Sequence, residues 1–184
     1  IQLNNGWTLY ISNKSYAKKA LKKSKYDIII TLIQKKSNPD LFTKEYSKSH
    51  IHVNIPDSQV VNHNNKFLHR YKSAMERALD EMTKKPNGSI LVHCYAGMNR
   101  STSMAVALIS KINKISGHRA LQLCRQKRSQ FMLRGMFDTW RKFLRNFDVE
   151  LNKEDERPDY TTLKVLLVFV VVCGGCYYYS KTKK

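Results

Sequence analysis

Short, wholly apolar runs alternate along the chain with longer stretches in which apolar residues recur every three or four positions. YDIIITLI (26–33) and SILVH (89–93) are continuous and rich in β-branched residues, and too short for helices, which suits strands buried on both faces. WTLYIS (7–12) and HIHVNI (50–55) are further strand candidates, the second ended by Pro56. Between them, a Lys-rich segment around 14–24 reads as a helix. Residues 66–84 form the clearest amphipathic helix, with Phe67, Tyr71, Ala74, Met75, Ala78, Leu79 and Met82 on one stripe. KPNG (85–88) stops it. A helix over 101–113 has Ala105, Leu108, Ile109 and Ile112 as core candidates, and two more are predicted around 117–127 and 134–147. Strands alternating with helices predict an α/β domain over residues 1–150.

Beyond residue 150 the pattern changes. Residues 151–162 are polar and charged and read as a linker, after which the apolar run begins at Leu163. From Val165 to Tyr179 no residue is charged, three tyrosines close the run, and lysines follow. A usual spanning helix needs roughly 17–25 residues, and aromatic residues favour the membrane interface. Residues 163–180 are therefore expected to form a C-terminal transmembrane helix, with 181–184 as a basic tail. Cys173 and Cys176 fall within it, as packing residues or acylation sites.

Composition argues against wholesale disorder, since the charged and apolar fractions are ordinary for a folded chain. Charge changes the picture more. Lys and Arg number 33 against 14 Asp and Glu, a formal charge of +19. Residues 1–50 and 111–145 hold much of the excess. Such a field favours acidic partners: phosphorylated protein, anionic lipid or RNA. The cysteines, at 94, 124, 173 and 176, show no disulfide framework, so a reducing compartment is expected for the bulk of the chain. Cys124 reads as a core residue.

The chemistry concentrates in ILVHCYAGMNRST (90–102). A buried strand ends at His93, Cys94 follows, then five loop residues, and a helix starts near Ser101. In such a strand-loop-helix the backbone N–H groups of Tyr95, Ala96, Gly97, Met98 and Asn99 can converge on one point, with the positive helix end aimed there too. This is a cup for a tetrahedral oxyanion. Gly97 eases its curvature. Arg100 can grip two phosphate oxygens at once, which lysine cannot copy. The same positive field favours a thiolate at Cys94. A thiolate about 3–3.5 Å below a bound phosphorus is placed for in-line attack.

His93, Cys94, Arg100 and Ser101 fill the signature of the cysteine-based protein tyrosine phosphatase superfamily, which this stretch resembles. Within it, AGMNRS and the order of LYIS, DIIITL, VNIPDS, amphipathic helix and Cys loop are similar to the dual-specificity phosphatases. The resemblance covers much of residues 7–147. It implies a central mixed sheet flanked by helices, and hydrolysis of phosphotyrosine and phosphoserine or phosphothreonine through a phosphocysteine, with no metal or cofactor. It also implies Asp57, in VNIPDS, as the general acid and then base, and Ser101 as a hydrogen-bond donor to the departing Cys94 sulfur. His93 would shape the loop and not transfer protons.

Phosphorylated protein is the expected substrate. By the resemblance, a phosphoinositide is less favoured because lipid-acting relatives often carry Lys or Arg in the loop and residues 95–99 contain neither, and RNA because that branch tends to have Thr-His where Tyr95-Ala96 stands. A non-catalytic phosphoprotein-binding module is weighed as well, though such modules usually lose the cysteine or arginine. With the span C-terminal, Cys94 is expected in the cytosol, tethered to the endoplasmic reticulum or mitochondrial outer membrane.

Overall fold

A computed structural model describes residues 1–23, 26–34, 47–55 and 65–127. They form β1 (Trp7–Asn13), α1 (Lys14–Lys23), β2 (Tyr26–Leu32), β3 (Ser47–His52), α2 (Asn65–Thr83), β4 (Gly88–Cys94), α3 (Arg100–Asn113) and α4 (Gly117–Lys127). All lie within the first of two compact units, Ile1–Asn152. The predicted helix around 134–147, Asp57, the linker 151–162, the span 163–180 and the tail 181–184 lie outside the described residues. Among the described residues no helix is long and apolar enough to cross a membrane.

The strands order as β1-β4-β2-β3. β4 and β2 sit in the middle, and their apolar runs follow from that: Ile28, Ile29, Ile30, Ile90, Leu91 and Val92 are all buried, alternating between the two faces. Every pairing between the named strands is parallel, which corrects the expectation of a mixed sheet. Among the described residues, antiparallel pairing is confined to the Gln2–Thr8 bridge. The reason is the connections: α1 leads from β1 to β2 and α2 from β3 to β4, and a helical crossover returns the chain to run parallel.

One sheet face packs on α2, α3 and α4 through Leu9, Ile30, Val92, Tyr71, Met75, Met104, Leu108, Leu121 and their neighbours. The other face holds Ile29, Ile33 and Leu91 against Ala17 of α1. Tyr71, Ala74, Met75, Ala78 and Met82 are buried as the α2 stripe predicts, while Leu79 and Ile112 are only partly so. Cys124 is buried in the first cluster, and burial pushes its thiol up to about 12. β3 runs Ser47–His52 and not 50–55. Val53 and Ile55 are apolar because they enter the core after the strand has ended.

This topology places the end of β4 between β1 and β2, in register with Asn13 and Leu32. In open α/β sheets that carboxyl edge, where the strand order reverses, is where ligands bind.

Candidate active site

Cys94 is the last residue of β4 and is buried. The chain then turns through residues 95–99 and enters α3 at Arg100, one residue earlier than expected. Two contacts hold this loop to the junction of β1 and α1. The Lys14 N–H donates to the Tyr95 carbonyl at 3.0 Å. Gly97 presses against the backbone of Ser12 and Asn13, where an added Cβ would lie 2.9 Å from three main-chain atoms. Its φ of 73° is also a conformation that side chains disfavour, so Gly97 is required twice over.

That turn aims donors at the sulfur. The Gly97 N–H donates to Cys94 Sγ at 3.2 Å, and Ser101 Oγ lies 3.3 Å from it. A thiolate has no proton to give, so toward it the Ser101 hydroxyl is the donor. The sulfur therefore sits at the start of a helix with a backbone and a side-chain donor directed at it, an arrangement suited to a nucleophile that must also leave.

Arg100 is 3% exposed. A guanidinium so enclosed needs acceptors, and its Nη1 donates to the Ile55 carbonyl at 3.1 Å. Ile55 stands two residues before Asp57, so the arginine ties the signature loop to the segment leading there. Met98 and Asn99 are half-buried, whereas Tyr95 and Ala96 are exposed. The Asn99 carbonyl accepts from the Ser103 N–H and hydroxyl, closing the first turn of α3. The Lys14 ammonium lies 5.6 Å from the centre of the Tyr95 ring.

His93 is completely buried. Its Nε2 lies 2.8 Å from Thr31 Oγ1, which is also 2.8 Å from His50 Nε2. Burial, and then the neighbouring histidines, lower His93 to about 3; burial and His52 lower His50 to about 4. Both rings are neutral at physiological pH. A neutral, enclosed His93 fits a shaping role. Side chains alternate along β4, so His93 lies on the sheet face of Leu91 and Cys94 on that of Val92.

The structure thus brings Cys94, Gly97, Arg100 and Ser101 together, as the spacing predicts, with His93 behind them. Thr31, His50 and the Ile55 carbonyl were not foreseen. Thr31 is the one polar residue within the apolar run 28–33, and that was the available signal. A main-chain carbonyl leaves none.

The family model described as "Dual specificity phosphatase, catalytic domain" matches residues 9–145. Tyrosine-protein phosphatase yvh1 of Schizosaccharomyces pombe is 30% identical over 121 residues, covering 66% of this chain and 34% of that protein. Human dual specificity protein phosphatase 16 is 35% identical over 78 residues, covering 40% of this chain and 12% of that protein. The chain thus spans about a third or less of these relatives' lengths. The crystal structure of human DUSP28 superposes with a TM-score of 0.59 at 14% identity, over 77% of this chain and 90% of that one, a likeness of fold. With its model matching from β1 past α4, the chain belongs to the dual specificity phosphatase catalytic-domain family.

Proposed function

We propose that this protein is a dual-specificity protein phosphatase, hydrolysing phosphotyrosine and phosphoserine or phosphothreonine in protein substrates. The carrying observation is the sulfur's setting: Cys94 Sγ within 3.2 Å of the Gly97 amide and 3.3 Å of the Ser101 hydroxyl, with Arg100 enclosed at the head of the same helix.

In the first step the Cys94 thiolate attacks phosphorus and the substrate oxygen leaves, taking a proton from Asp57. The loop amides and Arg100 stabilise the charge that builds on the equatorial oxygens. In the second step water, deprotonated by Asp57, displaces the sulfur, and the Ser101 hydroxyl hydrogen-bonds to the departing thiolate. Asp57 lies outside the described residues. Its assignment rests on VNIPDS, and the Arg100–Ile55 bond supports it by drawing that segment to the site. We propose in addition that residues 163–180 anchor the protein in a membrane, with Cys94 in the cytosol. That reading rests on the uncharged run and its Tyr and Lys flanks.

The test is phosphate release by the full chain from three substrates side by side. They are a peptide phosphorylated on Thr and Tyr, a phosphoinositide, and a 5′-triphosphate RNA, each with Cys94→Ser as control. Preference for the peptide is expected. Preference for lipid or RNA would replace the substrate class and leave the Cys94 chemistry standing. Release from none would favour a binding module. Asp57→Asn should slow hydrolysis of a poor leaving group by about 10²–10⁴-fold.

A further inference from the structure

A groove of about 340 Å³ opens between β3 and α2, and none of the proposed catalytic residues lines it. Two guanidiniums, of Arg70 and Arg77, two imidazoles, of His52 and His69, and the Ser73 hydroxyl do. Among the described residues no carboxylate lines it. Yet α2 is not short of carboxylates. Glu76 stands 4.0 Å from Lys72, while Asp80 and Glu81 stand 3.2 and 2.7 Å from Lys84. Glu81 follows Arg77 by four residues, within reach on a helix, but pairs with the lysine instead. Arg77 has no ion pair among the described residues. The acids of α2 are thus held on lysines outside the groove, and its positive charge is left for an anion from elsewhere.

The polar groups are fixed and regularly spaced. Arg70 Nη1 donates to the Asn54 carbonyl at 3.3 Å, and His52 Nε2 to the Ile33 carbonyl at 3.0 Å. His69, Ser73 and Arg77 recur every four residues and form one ridge of α2. That ridge is about 12 Å long, with steps of about 6 Å. A single phosphate covers only part of it. Alternate side chains of an extended peptide stand about 6.6 Å apart on one face, close to the same step. No Phe, Tyr or Trp lines the groove for nucleotide bases to stack on, which disfavours single-stranded RNA.

We propose that this groove docks an extended acidic segment of the protein substrate, with Asp or Glu at alternating positions along the ridge of His69, Ser73 and Arg77. The chain that lines it at His52 runs on to Ile55, whose carbonyl Arg100 holds. Three residues span at most about 11 Å, so one substrate chain can lie in the groove and present a phosphorylated residue to Cys94.

The inference rests on the protein-phosphatase reading for the identity of its partner, so its first measurement uses no activity. Fluorescence anisotropy should show a labelled, unphosphorylated peptide with Glu at alternating positions binding the full chain. Arg77→Glu should weaken that binding about tenfold or more. Lys19 is exposed on α1, which packs on the opposite sheet face, and Lys19→Glu is the charge-matched control. It should change the affinity less than about twofold at physiological salt. Equal weakening by both would trace the binding to the net charge of the chain and overturn the proposal. So would an RNA oligonucleotide of equal charge that binds more tightly than the peptide and is lost in Arg77→Glu. The second measurement is hydrolysis of a phosphotyrosine peptide without the acidic segment and with it placed before or after the phosphotyrosine. In one placement the segment should lower KM about tenfold with kcat unchanged, and Arg77→Glu should erase the difference. A segment that leaves KM unchanged, or lowers it equally in Arg77→Glu, would remove the groove from substrate docking. Should the wild-type protein release no phosphate from any of these peptides, the phosphatase reading fails and the anisotropy alone decides the groove.

Discussion

Arg100 donates from Nη1 to the carbonyl of Ile55 across 3.1 Å, joining two segments 45 residues apart in the chain. The bond ties the head of α3, and with it the loop proposed to bind phosphate, to the chain that continues to Asp57. The residue able to clamp phosphate thus also anchors the segment bearing the proposed acid. Lysine keeps the charge but not the planar fork, so it cannot hold Ile55 and two phosphate oxygens together. Arg100→Lys should lower kcat/KM by on the order of 10²–10³. Steady-state kinetics on p-nitrophenyl phosphate check this, and a loss below tenfold would contradict the clamp.

Gly97 is constrained by its φ of 73° and by the β1 backbone 2.9 Å from any added Cβ. Gly97→Ala should destabilise the fold by about 1–3 kcal/mol. It should also pull the 97 amide off the sulfur and depress activity. Denaturant unfolding of the two proteins, with unchanged slope, measures the first effect.

Ser101 Oγ lies 3.3 Å from the sulfur that, in the proposed second step, departs from phosphorus. Removing a hydrogen bond to a charged group costs about 1.5–3 kcal/mol, or roughly 10- to 100-fold in rate. The loss in Ser101→Ala should fall on the second step. Rapid mixing should then reveal a burst of p-nitrophenol followed by slow turnover, with phosphocysteine accumulating. Uniform slowing without a burst would place the hydroxyl's role in the first step.

The buried histidines make the fold sensitive to acid. His93 and His50 titrate near 3 and 4 when folded, against 6.5 for a free ring. Between those values the unfolded chain binds more protons, so stability falls as pH drops below about 6.5 and levels off only near the folded values. Above pH 7 neither ring contributes a slope. Unfolding free energy should therefore decline by on the order of a few kcal/mol between pH 7 and pH 4. His50→Gln should flatten part of that decline, and parallel curves for the two proteins would contradict the assignment.

Deleting residues 163–184 should move the protein from the membrane fraction to the soluble one while leaving turnover of p-nitrophenyl phosphate intact. Unchanged fractionation would remove the anchor from the proposal.

Most elements were legible because their signals are local. β2 and β4 announce themselves as apolar runs, and the helix expected over 66–84 matches α2 within a residue at each end. β3 was displaced for a physical reason. Val53 and Ile55 carry the same alternation as a strand but bury their side chains after the ladder has stopped, while Ser47 and Ser49 pair with β2 without any apolar signal.

The sequence by itself determined the chemical centre. Cys94, Gly97, Arg100 and Ser101 fall within residues 94–101, and a strand that ends, a five-residue turn and a helix that begins bring them together, with Gly97 packed on β1. Tertiary structure decided what surrounds it. Thr31 reaches His93 across 62 residues and His50 across 19, and Arg100 reaches Ile55 across 45. Those contacts depend on β2 lying between β4 and β3 in one parallel register. Strand order and register are set by burial of both sheet faces against helices from across the chain, which is why no local stretch of sequence contains them.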